Sequence, residues 1–179
     1  DADPIISGCV FRNNSSTKGG GMWNYQSFPV ISECLFENNS SLYYYDNVGG
    51  GGGMQNRESS PTITGCTFLN NHGTFGSAIS NKNSSNPTIS RSKFIGNTDG
   101  SAIYNFSNSN PVITSCLISG NSFTPPYWFS ATLAGGISNF GSSPTIINCT
   151  FSGNRTTTKG GGMYNENASP VIKNTIIWD

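Results

Sequence analysis

The stretch Phe11–Asn24 reads FRNNSSTKGGGMWN, and Phe151–Asn165 reads FSGNRTTTKGGGMYN. The same order of Phe, Asn, Lys, three Gly, Met and Asn is written twice, far apart in the chain. A phosphate loop would need a Gly-Lys-Ser/Thr ending and a helix to follow, and neither copy has one. Self-similarity of this kind is the mark of a repeat architecture, and it sets the frame for every other residue.

Aligned on proline, units open at Pro4, Pro29, Pro61, Pro87, Pro111, Pro144 and Pro170. Two residues on comes a column of Ile6, Ile31, Ile63, Ile89, Ile113, Ile146 and Ile172. Next is the column Cys9, Cys34, Cys66, Ser92, Cys116, Cys149 and Thr175, then Phe11, Phe36, Phe68, Phe94, Ile118, Phe151 and Ile177. An asparagine column follows: Asn14, Asn39, Asn71, Asn97, Asn121 and Asn154. A second half-motif carries Met22, Met54, Ile79, Ile103, Ile137 and Met163, each preceded by Gly or Ala and followed by Asn24, Asn56, Asn81, Asn105, Asn139 and Asn165.

This gives six full units and a partial seventh, on a repeat of about two dozen residues, the size of one solenoid coil. The apolar period within a unit is two, which is that of strands. Ile6 and Cys9 are out of phase, so the chain must bend near Ser7–Gly8; further bends fall near Asn14 and at the junction before each Pro. The expected fold is all-β: a parallel β-helix over residues 1–179, read as one domain, with three short strands per coil. Stacking puts each column in register at about 4.8 Å. Ile then stacks on Ile, Phe on Phe and Cys on Cys. Inward Asn residues bridge neighbouring coils through their amides. The Cys spacing is the coil period, so reduced thiols in a core ladder are expected rather than disulfides.

The pairing of a Phe-x-x-Asn motif (Phe11 to Asn14) with a Gly-Gly-apolar motif (Gly20-Gly21-Met22), repeated along the chain, resembles the repeats of chlamydial polymorphic outer-membrane proteins. It also resembles other bacterial surface and secreted right-handed β-helix proteins. The resemblance implies a right-handed coil, in line with the general preference of parallel crossovers. It also implies a secreted or cell-surface home. It carries no activity, because the matching residues are core and corner residues.

Two units depart from the repeat at the same point. Unit two inserts a loop within 40–52 carrying Tyr43, Tyr44, Tyr45 and Asp46, and unit five inserts one within 122–135 carrying Tyr127, Trp128 and Phe129. They leave one edge of the solenoid about 14 Å apart, three strand spacings. Insertions at one phase map to one binding face. Exposed aromatic rings there suit a glycan or a protein receptor, and rings folded back over the flank are the structural alternative. Rows of Thr beside the Ile column, such as Thr62 and Thr64, are broken by Ile5, Val30, Val112 and Lys173, which weakens a lattice-binding reading.

Other chemistry is sparse. Charged residues are 10% of the chain and net charge is +0, which excludes the basic footprint of a nucleic-acid binder. No apolar run reaches the length of a membrane-spanning helix. The carboxylates scatter over different phases, although Arg12 and Glu37 share one and are expected to pair. His72 is the only histidine, placed in a bend. No catalytic constellation, metal set or cofactor motif is expected. Asn-x-Ser/Thr triplets at Asn14, Asn39, Asn83, Asn105, Asn148, Asn154 and Asn167 permit glycosylation in a suitable host. Neither end carries a capping pattern, so self-association through open solenoid ends is expected, as is membership of a longer solenoid. The function expected is an extracellular structural or adhesive scaffold that forms filaments by end-to-end stacking. The alternative is a carbohydrate-binding or polysaccharide-processing β-helix that uses the aromatic loops.

Overall fold

The computed structural model describes residues 3–41, 49–125 and 131–178. Tyr43, Tyr44, Tyr45, Asp46, Tyr127, Trp128 and Phe129 lie outside the described residues.

Three parallel sheets run the length of the solenoid. The first has seven strands, from Ile5–Ser7 through Thr88–Ser90 to Val171–Lys173. The second also has seven, from Val10–Arg12 to Ile176–Trp178. The third has six, beginning with Met22–Tyr25 and Met54–Arg57 and ending with Met163–Glu166. Strands pair with their equivalents one coil away, Ile6 with Ile31, Phe11 with Phe36, Met22 with Met54 and Asn24 with Asn56, with one register shift between Gly76 and Ile79. Two-residue strands such as Ser40–Ser41 and His72–Gly73 add a short rung at the corner before the third sheet.

The corners are built by backbone conformation. Gly8, Glu33, Gly65, Arg91, Ser115, Asn148 and Asn174 occupy one column and all have φ between 48° and 63°. Asn13, Asn38, Asn70, Gly96, Gly120 and Gly153 form a second left-handed column, and Gln26, Glu58, Asn83, Ser107, Gly141 and Asn167 a third. Left-handed backbone costs an L-residue about 1–2 kcal/mol. It persists here because the strands on both sides of each corner fix it.

Inside the coil, Ile31, Ile63, Ile89, Ile113 and Ile146 are fully buried beside Phe36, Phe68, Phe94, Ile118 and Phe151. Successive Phe rings lie almost parallel, with centroids 4.6 Å apart for Phe11–Phe36, 4.7 Å for Phe36–Phe68 and 5.0 Å for Phe68–Phe94. Gly53 faces this stack: a Cβ there would come within 2.8 Å of Ala78 O and 2.9 Å of Phe68 Cδ1. The triple glycine of the repeat therefore lets the backbone approach the ring ladder.

All five cysteines are free. Each thiol donates to the carbonyl two residues before it, as in Cys34 to Ser32 O (3.2 Å) and Cys116 to Thr114 O (3.2 Å). Ser92 and Thr175 make the same bond to Ser90 O and Lys173 O, each at 2.9 Å. The column thus requires a small side chain ending in a donor, which explains why Cys, Ser and Thr share it. Burial pushes the Cys66 thiol up to about 11.

Two asparagine ladders close the corners. In the first, each Oδ1 accepts both the N–H and the Nδ2 of the preceding coil's Asn, as Asn71 Oδ1 does from Asn39 at 3.0 Å for both. Each Nδ2 also reaches a Phe-column carbonyl, as Asn71 reaches Phe36 O at 2.9 Å. The second runs Asn24–Asn56–Asn81–Asn105–Asn139–Asn165 through Nδ2–Oδ1 bonds of 2.8–2.9 Å. A serine ladder lies two residues before Pro29, Pro61, Pro87, Pro111 and Pro144. Ser27, Ser59, Ser85 and Ser109 each donate a backbone N–H to the hydroxyl of the next coil's serine at 3.1–3.2 Å.

These ladders set the surroundings of the Asn-x-Ser/Thr positions. Asn39, Asn105 and Asn154 are buried, with their amides committed to neighbouring coils, so the folded coil closes them to a glycosyl donor. Asn14 is exposed but its Nδ2 is bonded to Asn39 Oδ1 at 2.9 Å. Asn83, Asn148 and Asn167 stand at left-handed corners, half-buried in the first case and exposed in the other two.

Candidate functional site

Outward side chains of a β-solenoid are normally wet, because alternate residues face solvent. The third sheet breaks that rule in its middle coils. The column one residue after the Met/Ile positions reads Trp23, Gln55, Ser80, Tyr104, Ser138 and Tyr164. Trp23 is 47% exposed, whereas Gln55 is 3%, Ser80 0%, Tyr104 6% and Ser138 0%. The stems of the two insertions cover them.

The stem of the second insertion is anchored on both sides. Phe123 and Leu133 are buried in a small second core with Phe75 and Tyr104, and Ala131 and Phe140 pack at its margin. The Phe75 and Tyr104 rings meet at 5.2 Å, and Tyr104 meets Phe140 at 5.5 Å. Hydrogen bonds fix the exit: Ser101 Oγ donates to Ala134 O (2.8 Å), Ala134 N donates to Ser138 Oγ (2.8 Å), and Thr156 and Thr158 both donate to Leu133 O (2.9 Å).

The stem of the first insertion rests on a different base. Gly50 lies against Gln55 Oε1 and Ser41 Oγ, with no room for a side chain. Among the described residues, Ser41 Oγ, Gln55 Oε1 and Ser80 Oγ are buried there without a hydrogen-bond partner. The exit is gripped by Lys82, whose Nζ donates to Gly49 O at 2.7 Å. The same ammonium lies 4.8 Å from the Phe75 ring centre and 5.9 Å from that of Tyr104. Burial, with Arg57 nearby, lowers Lys82 to about 8. Burial, with a smaller contribution from Glu166, pushes the Tyr104 phenol up.

Beside this covered zone is an exposed aromatic ledge. Trp23 and Tyr25 are each 47% exposed with ring centres 5.9 Å apart. Lys18 Nζ sits 4.9 Å from the Trp23 ring and Arg57 6.0 Å from that of Tyr25. Neither this ledge nor the second core follows from the repeat columns. Only Trp23, Tyr25 and Tyr104 alternate with Met22, Asn24, Ile103 and Asn105 along the third sheet; Phe75, Phe123 and Leu133 lie outside its strands.

The remaining candidates are separated. Arg12 and Glu37 form an exposed ion pair at 2.6 Å. His72 Nδ1 contacts Thr98 Oγ1 at 2.8 Å and Asp99 Oδ2 at 3.2 Å. Hydroxyl and carboxylate thus share one ring nitrogen, whereas a proton relay needs them on opposite nitrogens. Among the described residues no group of three or more His, Cys, Asp and Glu side chains comes together as a metal ion requires.

A long coil of three parallel sheets with internal Asn ladders defines a β-helix. Residues 1–143 match the family model for a right-handed β-helix region, and the chain belongs to that family. Residues 148–166, which include the second copy of the opening motif, match the Chlamydia polymorphic membrane protein repeat. This repeat points to a bacterial surface β-helix protein. No curated protein matches the chain.

Proposed function

We propose that the chain is an extracellular adhesive scaffold: a rigid β-helix that presents its two insertions to a partner and performs no catalysis. The observation that carries this reading is the second core of Phe75, Tyr104, Phe123 and Leu133. A solenoid already has a complete core inside the coil, so apolar residues spent outside it, under two insertions, serve what those insertions display. The match to a surface-protein repeat supports a secreted or cell-surface setting. Self-association by coil-on-coil stacking, giving filaments, belongs to the same reading, since any end strand presents unpaired backbone groups.

A second reading is favoured by the Trp23–Tyr25 ledge with Lys18 beside it. Aromatic faces next to a cation suit a carbohydrate, so the partner would be a glycan. The test is binding of the purified chain to an immobilised glycan array and to cultured cells. The paired variant Tyr44→Ala/Trp128→Ala should lose binding through the insertions, and Trp23→Ala should lose binding through the ledge. Turnover of a polysaccharide by the purified chain would overturn the scaffold reading.

A further inference from the structure

The two insertions enter the sequence three coils apart, and nothing in the repeat joins them. The structure fills the gap between them. From the first insertion, Gly49 O is held by Lys82 Nζ. Lys82 lies over the rings of Phe75 and Tyr104. Those rings are in the same buried cluster as Phe123 and Leu133, which flank the second insertion. Coils three and four, which carry no insertion, therefore supply the bridge. We infer that the stems of the two insertions act as one mechanical unit, coupled through Lys82, Phe75 and Tyr104, with Lys82 the positioning residue that ties the first stem to the second.

The two stems differ in how they are held, and this gives the coupling a direction. The exit of the second insertion has four side-chain hydrogen bonds besides its apolar packing. The first is joined to its neighbouring coils by backbone bonds of Gly51–Gly53, and among the described residues its side-chain anchor is the Lys82 grip, beside three buried oxygens without partners. Loosening the platform should therefore release the first insertion more than the second. For a partner that touches both, the coupling means that binding at one stem orders the other, and the effect is reciprocal. That consequence rests on the adhesive reading; the coupling itself does not.

Hydrogen exchange on the purified chain tests it. Leu133→Ala, made at the second stem, should speed exchange at Gly49–Gly53 by about tenfold, within the usual range for coupled sites. Lys82→Met, which keeps the unbranched apolar stem and removes the ammonium, should do the same at Gly49–Gly53 and raise exchange at Phe123 and Leu133 to a smaller extent. Amides of Ile63, Ile89 and Ile113 in the first sheet are the internal control and should not change. Should Leu133→Ala fail to fold, Thr158→Val, which removes the Thr158 hydroxyl's bonds to Leu133 O and Thr156 Oγ1, serves in its place. Exchange confined to 131–136 in the second-stem variants, with Gly49–Gly53 unaffected, would overturn the inference, whatever partner the chain binds.

Discussion

Asn97 donates both its backbone N–H and its Nδ2 to a single oxygen, Asn121 Oδ1, at 3.0 and 2.9 Å. Asn97 Oδ1 receives the same pair from Asn71, and its Nδ2 also reaches Phe68 O at 3.0 Å. One side chain thus ties together three coils at a buried corner. Asn97→Ala should cost about 3 kcal/mol or more in denaturant unfolding, because several buried groups lose their partners at once. Asn97→Asp has the same shape but puts a carboxylate against acceptors. Burial raises its folded pKa above the unfolded value, so the folded state binds more protons. Its stability deficit should be large at pH 7 and shrink as pH falls through that raised pKa.

The small residue before each Met or Ile position, glycine in four coils and alanine in two, separates close approach from mere flexibility. Gly53→Ala should destabilise by about 1–3 kcal/mol, since the new methyl meets Ala78 O and the Phe68 ring. Ala78→Gly, at the equivalent position one coil on, should cost only about 1 kcal/mol, the entropic penalty of glycine in a strand.

The cysteine column predicts a chemical preference. Cys66→Ser should stay within about 1 kcal/mol of the parent, because a hydroxyl makes the same bond to Thr64 O, whereas Cys66→Val should lose about 1–3 kcal/mol. A thiol reagent should find one fast site, the exposed Cys9, and four slow ones that open only with denaturant.

Lys82 gives a pH signature. Its folded pKa, about 8, lies below the unfolded value near 10.5, so between these values the unfolded state binds more protons and stability rises with pH. The folded state bears a penalty of order 3 kcal/mol for the buried charge below pH 8, relieved as pH climbs towards 10.5. Cys66, raised to about 11, acts in the opposite sense above pH 9. Subtracting the unfolding curve of Lys82→Met from that of the parent cancels the thiol and isolates the rise. A difference that stays flat from pH 7 to 10.5 would show that the amine is not buried.

The columns of Ile, Phe, Cys and Asn were legible because each coil repeats them at a fixed phase, and a buried column admits few residue types. The left-handed corners were less so: Glu33, Arg91 and Ser115 take the same backbone conformation as Gly8 and Gly65, imposed by flanking strands rather than chosen by the residue. The serine ladder was available as a Ser two places before Pro, but serine is too common in this chain to stand out. Phe75, Lys82, Tyr104, Phe123 and Leu133 were not legible as a group. They belong to no shared column, and what unites them is contact across the outer face of a sheet.

The central claim is that the coil is scaffold and the insertions are the working part. The direct measurement replaces both insertions by the short spacer of the first coil, Ser15–Lys18, and compares the shortened chain with the parent for thermal unfolding and for adhesion of protein-coated beads to cultured cells. The account predicts a cooperative unfolding transition within a few degrees of the parent's, at about 1 kcal/mol of difference, together with loss of adhesion. A shortened chain that adheres as strongly as the parent would contradict it.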